Sequence, residues 1–96
     1  MQLVRFRDKG LRQLHKDGNA RGVSFAMADK LRKLLFALEN AETLEQLGRF
    51  PGWKLHSLKG DLKGFWSLTV TGNWRLIFRH DENMNTASDI DLIDYH

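Results

Sequence analysis

The sequence Asp94-Tyr95-His96 brings a carboxylate, a phenol and an imidazole together directly after an apolar segment at residues 90–93. A chain end is usually frayed unless a secondary-structure element holds it. A strand paired in a sheet could fix these side chains in position. The ending is therefore more typical of a site for acid–base chemistry than of an inert tail.

Three upstream residues, His56, Lys59 and Arg75, complete a set suited to binding and cleaving a phosphodiester. Arginine offers a rigid fork to phosphate oxygens, and lysine offers a point charge for the negative charge that builds at phosphorus. Two imidazoles, His56 and His96, can divide the roles of general base and general acid near neutral pH. The histidine spacing matches no metal motif, and attack by an RNA 2′-hydroxyl needs no metal, so we expect no metal and no other cofactor.

Each of these residues also has a structural interpretation. A strand histidine such as His56 is more often a surface residue, and Arg75 could stack on Trp74 or pair with a carboxylate. Asp94 could cap the end of the sheet, and His96 could be a disordered terminal residue. Spacing alone does not choose between these interpretations.

Length and composition restrict the class of protein. The 96 residues suffice for a single domain with one modest core. The sequence contains no cysteine, which excludes disulfides and thiolate metal sites and favours a cytosolic setting. No apolar run is long enough for a membrane span or a signal peptide. We therefore expect a cytoplasmic protein that does not associate with membranes.

The charge is concentrated in the first third of the chain. Residues 1–33 carry nine Lys and Arg against three Asp, a net charge of +6 within a total of +3. Such a distribution indicates a polyanionic partner, although a solvated helix face would have the same composition.

Periodicity predicts the elements that must position these residues. A short strand over residues 3–6 precedes a helix over 9–16 capped by Asp8, and Ser24 can cap a longer helix over 25–41. Thr43 begins one further helical turn. From residue 53 onwards the apolar period changes to two, which predicts strands over residues 53–56, 66–71, 74–79 and 89–95. In the hairpin between the second and third of these, Gly72-Asn73 would supply positive φ angles.

These elements make an α+β fold. An N-terminal strand and two helices pack on a mostly antiparallel sheet that a C-terminal four-stranded meander completes. Alternation places His56 and Arg75 on a polar face from different strands. In the last strand it places Asp94 and His96 with Leu92, and Tyr95 on the opposite side. Either the strand ends or bulges near residue 93, so that the three terminal residues share a face, or Tyr95 serves a different surface.

The sequence closely resembles toxins of the RelE/ParE superfamily, in particular the HigB branch of plasmid-maintenance killer proteins. The similarity is clearest over residues 50–68, 70–78 and 94–96 and extends over essentially the whole chain. The resemblance implies the same α+β fold. It also implies an endoribonuclease that cuts mRNA on the translating ribosome, as the toxin of a type II toxin–antitoxin system. A helix-turn-helix, HigA-like antitoxin would neutralise the toxin and would be its sole link to operator DNA.

The resemblance also assigns site residues. The residues that match positions associated with activity in the HigB branch are His56, Arg75, Asp94, Tyr95 and His96. Lys59 matches a nearby basic position, and Lys54 and Lys63 are further candidates for phosphate binding. The candidates for ribosome or antitoxin contact are Arg12, Lys16, Lys30 and Lys33.

Three alternative functions stay open at this point. ParE-like relatives share the fold but inhibit DNA gyrase, so the fold does not determine the target. A non-catalytic RNA-binding protein that blocks translation is the second alternative, and a catalytically dead toxin retained as a co-repressor is the third. The combination of His56 with Asp94-Tyr95-His96 favours the ribonuclease.

Overall fold

The computed structural model describes residues 1–95. Its elements in chain order are β1 (Gln2–Leu3), α1 (Lys9–Asp17), α2 (Phe25–Asn40), α3 (Leu44–Leu47), β2 (His56–Ser57), a 3₁₀ turn (Gly60–Leu62), β3 (Trp66–Thr71), β4 (Trp74–Asp81) and β5 (Thr86–Asp94). The five strands form one sheet in the order β1-β5-β4-β3-β2. Only β1 and β5 run parallel, so the expected α+β fold with a mostly antiparallel sheet is confirmed.

Local signals in the sequence set the bounds of the two longer helices. The Asp8 side chain accepts a hydrogen bond from the Leu11 backbone N–H at 2.9 Å, and Gly18 ends α1 with a φ of +70°. Helix α2 begins after Ser24 as expected, but the Ser24 side chain makes no capping hydrogen bond. None of the α-helices formed by residues 1–95 combines the length and the apolar character needed to cross a membrane.

The apolar stripe of α2 packs on one face of the sheet, which we call the inner face. Its strand residues include Leu68, Leu76 and Phe78, all fully buried. Burying one large apolar side chain stabilises the fold by about 1.5–3 kcal/mol relative to leaving it exposed. The buried residues of α2 are those that the helical period predicts: Met27, Ala28, Leu31, Leu34, Leu35 and Leu38.

The prediction of a strand over residues 53–56 is wrong. The strand is the shorter β2, because Lys54 adopts a left-handed φ of +50° that interrupts the extended backbone. Trp53 and Leu55 nevertheless pack against the core, while Lys54 and His56 are exposed. The side-chain alternation was therefore predicted correctly although the backbone conformation was not.

Strand β5 also differs from its expected form. It begins at Thr86 rather than at residue 89, and the register with β4 shifts between Ile77 and Arg79. Asp89 has a φ of +51° within this irregular stretch, so β5 contains a bulge there. The expected alternatives were a bulge or strand end near residue 93, or a Tyr95 side chain that serves a different surface. The strand in fact continues to Asp94.

Two smaller expectations need correction. The hairpin turn at Gly72-Asn73 is confirmed, but of the two residues only Gly72 has a positive φ, at +48°. Strand β1 is shorter than expected and is followed by a single bridge between Phe6 and Ile90.

The sheet face opposite the helices, which we call the outer face, has a small apolar cluster of its own. Leu58 and Phe65 pack there against Ile77 of β4, and all three are buried. The loop over residues 58–65 covers this part of the sheet and is closed by a 2.9 Å hydrogen bond from the Leu58 N–H to the Phe65 carbonyl. The outer face is therefore polar only where this loop leaves it uncovered.

Candidate active site

The register of the sheet assigns His56 to the outer face. His56 is paired with Ser67, and Ser67 is paired with Ile77. Residues paired across neighbouring strands project on the same side of the sheet. Because Ile77 belongs to the outer cluster, His56 lies on the outer face at the edge strand β2.

Arg75 lies on the same face, two residues along β4 from Ile77. Two strand spacings of about 4.8 Å and two residue rises of about 3.4 Å separate the Cα atoms of His56 and Arg75 by about 12 Å. This spacing lets both side chains reach one substrate group. The prediction that the two residues come from different strands and share a face is confirmed.

The imidazole of His56 is held in one tautomer. Its Nδ1 atom lies 2.8 Å from the backbone carbonyl oxygen of Lys54. Because a carbonyl only accepts hydrogen bonds, Nδ1 must carry the proton, and neutral His56 then has its lone pair on Nε2. The side chain is exposed, so Nε2 is available to accept a proton from a substrate.

The guanidinium of Arg75 is fixed against the β3–β4 hairpin. Its Nη1 atom donates to the Gly72 carbonyl at 2.7 Å and to the Trp74 carbonyl at 2.9 Å. These bonds orient the group through one nitrogen, and no acceptor within residues 1–95 takes a hydrogen bond from Nη2 or Nε, so both can donate to an anion. A guanidinium held in this way is suited to a phosphate oxygen.

The C-terminal candidates fall on both sides of the sheet. Asp94 pairs with Trp74, which places it on the inner side by alternation. Tyr95 follows β5, where its N–H donates to the Asn73 carbonyl at 2.7 Å, and alternation places its side chain on the outer side. The structure therefore brings Tyr95 to the same end of the outer face as Arg75, but not Asp94. His96 lies outside the described residues.

The lysines predicted to bind phosphate border the outer face. Lys54 precedes β2, and Lys59 and Lys63 flank the 3₁₀ turn in the loop above the outer cluster. All three are exposed. The outer face therefore has cationic side chains along its β2 side.

The four basic helix residues lie on α1 and α2, away from the outer face. Arg12 and Lys16 line a cavity of about 510 Å³ between these helices, and Lys33 lines a second cavity of about 620 Å³. Lys30 is half-buried, and its Nζ atom lies 5.5 Å from the centre of the Trp53 ring. These positions suit protein or RNA contacts remote from His56.

None of the three principal cavities of residues 1–95 is lined by His56, Arg75 or Tyr95. A small-molecule enzyme usually binds its substrate in a concave pocket. The candidate residues instead lie on an open sheet face, which favours a polymeric substrate that docks across the surface.

Sequence reasoning missed a group of charged residues at the other end of the outer face. The Asp89 carboxylate is paired with Arg79 at 3.5 Å, Arg5 at 3.6 Å and Arg7 at 3.8 Å. One signal was present in the sequence, since Arg79 and Arg75 lie four residues apart on one strand and so share a face. The position of Asp89 was not predictable, because it depends on the bulge.

The chain matches, over residues 4–96, the sequence model of a family described as the RelE-like toxin of the type II toxin–antitoxin system HigB. It belongs to the HigB-like toxin family. The HigB-like chain is 37% identical over 91 residues to Endoribonuclease HigB of Proteus vulgaris, an alignment that covers 95% of this chain and 96% of that protein. It is 32% identical over 77 residues to Toxin HigB-1 of Vibrio cholerae, covering 79% and 81% of the two chains.

Solved structures of similar proteins have the same fold as this HigB-like toxin. The YoeB/ParE toxin from Agrobacterium tumefaciens superposes with a TM-score of 0.59 at 20% identity, covering 100% of this chain and 99% of that one. YafQ from Escherichia coli superposes with a TM-score of 0.61 at 19% identity, covering 95% and 89%. The α+β architecture expected from the resemblance is therefore confirmed.

Proposed function

We propose that residues 1–96 act as a single-domain endoribonuclease toxin that cleaves mRNA on the ribosome. Membership of the HigB-like family supports the toxin role, and the relative named Endoribonuclease HigB supports the reaction. The observation that carries the proposal is the geometry of His56. Its Nδ1 is bonded to a carbonyl, and its exposed side chain lies on the face that also presents Arg75.

The reaction proceeds by attack of the RNA on itself. The Nε2 atom of His56 removes the proton from the 2′-hydroxyl, and the 2′-oxygen attacks the adjacent phosphorus. The bond from phosphorus to the 5′-oxygen breaks, and this oxygen takes a proton from a general acid. Arg75 binds the phosphate oxygens and stabilises the negative charge that develops in the transition state. The products are a 2′,3′-cyclic phosphate and a 5′-hydroxyl.

The C-terminal residues provide the general acid and the groups that orient it and the substrate. His96 is the general acid and Asp94 orients an imidazole. Tyr95 stacks on a base or donates its hydroxyl at the Arg75 end of the face. Because no α-helix formed by residues 1–95 covers the outer face, Tyr95 can approach a substrate that lies across it, whereas Asp94 would act from the inner side at the end of β5.

The proposed substrate complex includes the ribosome. The open face and the exposed Lys54, Lys59 and Lys63 suit a long polyanion, whose phosphates provide affinity without sequence selection. The ribosome would supply the positioning that a small open site lacks, so free RNA should be a poor substrate. A HigA-like helix-turn-helix antitoxin would neutralise the toxin in the cytoplasm and link it to operator DNA.

The proposed reaction is tested with a substrate that lacks the nucleophile. A single 2′-deoxy nucleotide 5′ to the scissile phosphate should abolish cleavage of a ribosome-bound message, because no 2′-oxygen can attack there. The same message with the deoxy nucleotide one codon away is the control and should be cut at the normal rate. End-group analysis should detect a 2′,3′-cyclic phosphate and a 5′-hydroxyl. Cleavage of the deoxy substrate, or a 5′-phosphate product, would exclude this mechanism.

Deleting His96 should lower the cleavage rate while leaving the fold intact. A terminal residue contributes little to the sheet, but a general acid contributes about 10²–10⁴-fold to rate. His96→Gln cannot exchange a proton near neutral pH and should be nearly as damaging. Cleavage rates on programmed ribosomes and thermal unfolding separate the two effects. Wild-type cleavage by the protein ending at Tyr95 would remove His96 from the mechanism.

A further inference from the structure

The carboxylate of Asp89 is surrounded by three guanidinium groups. Arg79 and Arg7 approach it through their Nε atoms at 3.5 and 3.8 Å, and Arg5 approaches through Nη1 at 3.6 Å. Three cations around one carboxylate leave a net charge of +2. We call Arg5, Arg7, Arg79 and Asp89 the arginine cluster.

The arginine cluster is open to solvent on its cationic side. The Asp89 side chain is only 14% exposed, whereas those of Arg5, Arg7 and Arg79 are 73%, 50% and 45% exposed. Within residues 1–95, the Nη atoms of Arg7 and Arg79 donate no hydrogen bond to a protein acceptor. The carboxylate is therefore the sheltered base of the cluster, and guanidinium donors point away from it.

The ring of Phe65 fixes Arg79 and Arg7. The Cζ atom of Arg79 lies 4.4 Å from the centre of this ring, and that of Arg7 lies 5.3 Å from it. Phe65 is itself buried in the outer cluster. Gly64 makes room for the contact, since a Cβ atom there would lie 2.6 Å from Nη1 of Arg79. A cation held over a ring and beside a carboxylate loses little further entropy on binding an anion.

The arginine cluster and Arg75 lie on opposite sides of the row of paired residues that contains His56. Along β4, Arg75, Ile77 and Arg79 follow one another at every second residue, and His56 is in the row of Ile77. Arg75 and Arg79 are four residues apart, which is about 14 Å between their Cα atoms. The loop with Lys59 and Lys63 lies over the sheet between them. Cationic groups thus continue across the outer face from the proposed cleavage site.

We propose that the arginine cluster is a preorganised binding site for an RNA phosphodiester, remote from the phosphate that is cleaved. Arg79 and Arg7 donate to the phosphate oxygens, and Asp89 is a positioning residue that holds their guanidinium groups apart and oriented. This inference rests on the proposed function, since it places the site on the path of the same polyanion. The phosphodiester belongs either to the message or to ribosomal RNA.

The test measures RNA binding rather than cleavage. Wild-type protein and Arg79→Ala are titrated with a fully 2′-O-methylated oligouridine, which cannot be cut, and with bacterial ribosomes free of message, over a series of salt concentrations. Loss of one phosphate contact should weaken binding. It should also make the plot of the logarithm of the association constant against the logarithm of the salt concentration less steep, by about 0.7 for a single strand. A change with the oligouridine assigns the site to the message, and a change with ribosomes assigns it to ribosomal RNA.

Two further variants protect the test against a structural explanation. Arg21→Ala removes an exposed arginine from the turn between α1 and α2, so it changes the net charge equally but should leave the slope unchanged. Arg7→Ala should reproduce the effect of Arg79→Ala, with folding checked by thermal unfolding. Unchanged slopes with both probes for folded Arg79→Ala and Arg7→Ala would overturn the proposal. Because binding is measured without cleavage, a failure of the proposed reaction leaves this result intact and is distinguishable from it.

Discussion

Replacing Arg75 by alanine is expected to lower the rate of message cleavage by about 10²–10³-fold while leaving the protein folded. The guanidinium is fixed by the Gly72 and Trp74 carbonyls and presents its remaining donors on the outer face. Removing one preorganised donor to a developing negative charge costs about 2.7–4 kcal/mol in activation free energy. Single-turnover cleavage of a message on purified ribosomes measures the effect.

The control for this prediction is Arg21→Ala, which removes an exposed arginine from the turn between α1 and α2. It should cleave at the wild-type rate. Because truncating a partly exposed strand arginine costs little stability, thermal unfolding of Arg75→Ala should stay close to that of the wild type. A folded Arg75→Ala protein that cuts at the original rate would remove Arg75 from the site.

Replacing His56 by glutamine should lower the rate of message cleavage by about 10²–10⁴-fold. Glutamine can donate a hydrogen bond to the Lys54 carbonyl as the histidine does, but it cannot accept the proton of the 2′-hydroxyl. The fold should not change, since His56 is exposed on an edge strand. The loss should appear in the single-turnover rate at saturating ribosomes, not in ribosome binding.

His80→Gln is the matched control for His56→Gln. The Nε2 atom of His80 lies 3.2 Å from the Asn85 side-chain oxygen, near the β4–β5 turn and away from the outer face. Its substitution should leave the rate unchanged. If both variants had equal rates, or if His56→Gln only weakened ribosome binding, His56 would not be the general base.

Much of the fold was predictable from the sequence because local chemistry and burial agree there. Asp8 and Gly18 have the types that begin and end helix α1, and the apolar period of α2 identifies its buried residues. Alternation along β4 placed Arg75 on the face away from the helices. These features depend on short-range geometry, which one sequence can display.

The errors arose where a single backbone angle departs from the expected region. A positive φ at Lys54 shortens β2, yet the carbonyl of the same residue accepts the hydrogen bond that fixes His56. A positive φ at Asp89 forms the bulge that gathers the arginine cluster. Lysine rarely adopts this conformation, and aspartate, although enriched there among non-glycine residues, does so in only a small fraction of cases, so neither residue type by itself signals it. The parts that sequence reasoning missed therefore lie beside the candidate site residues, and irregular backbone is often found at functional sites.

Primer extension on total RNA after brief induction of the protein tests the central claim most directly. Discrete breaks within translated messages are expected, and they should disappear in cells that express Arg75→Ala to the same level. The breaks should also be absent from the same RNA segment when its start codon is removed, because the proposed substrate is ribosome-bound. Growth arrest with DNA damage and intact messages would instead identify gyrase as the target and contradict the ribonuclease assignment.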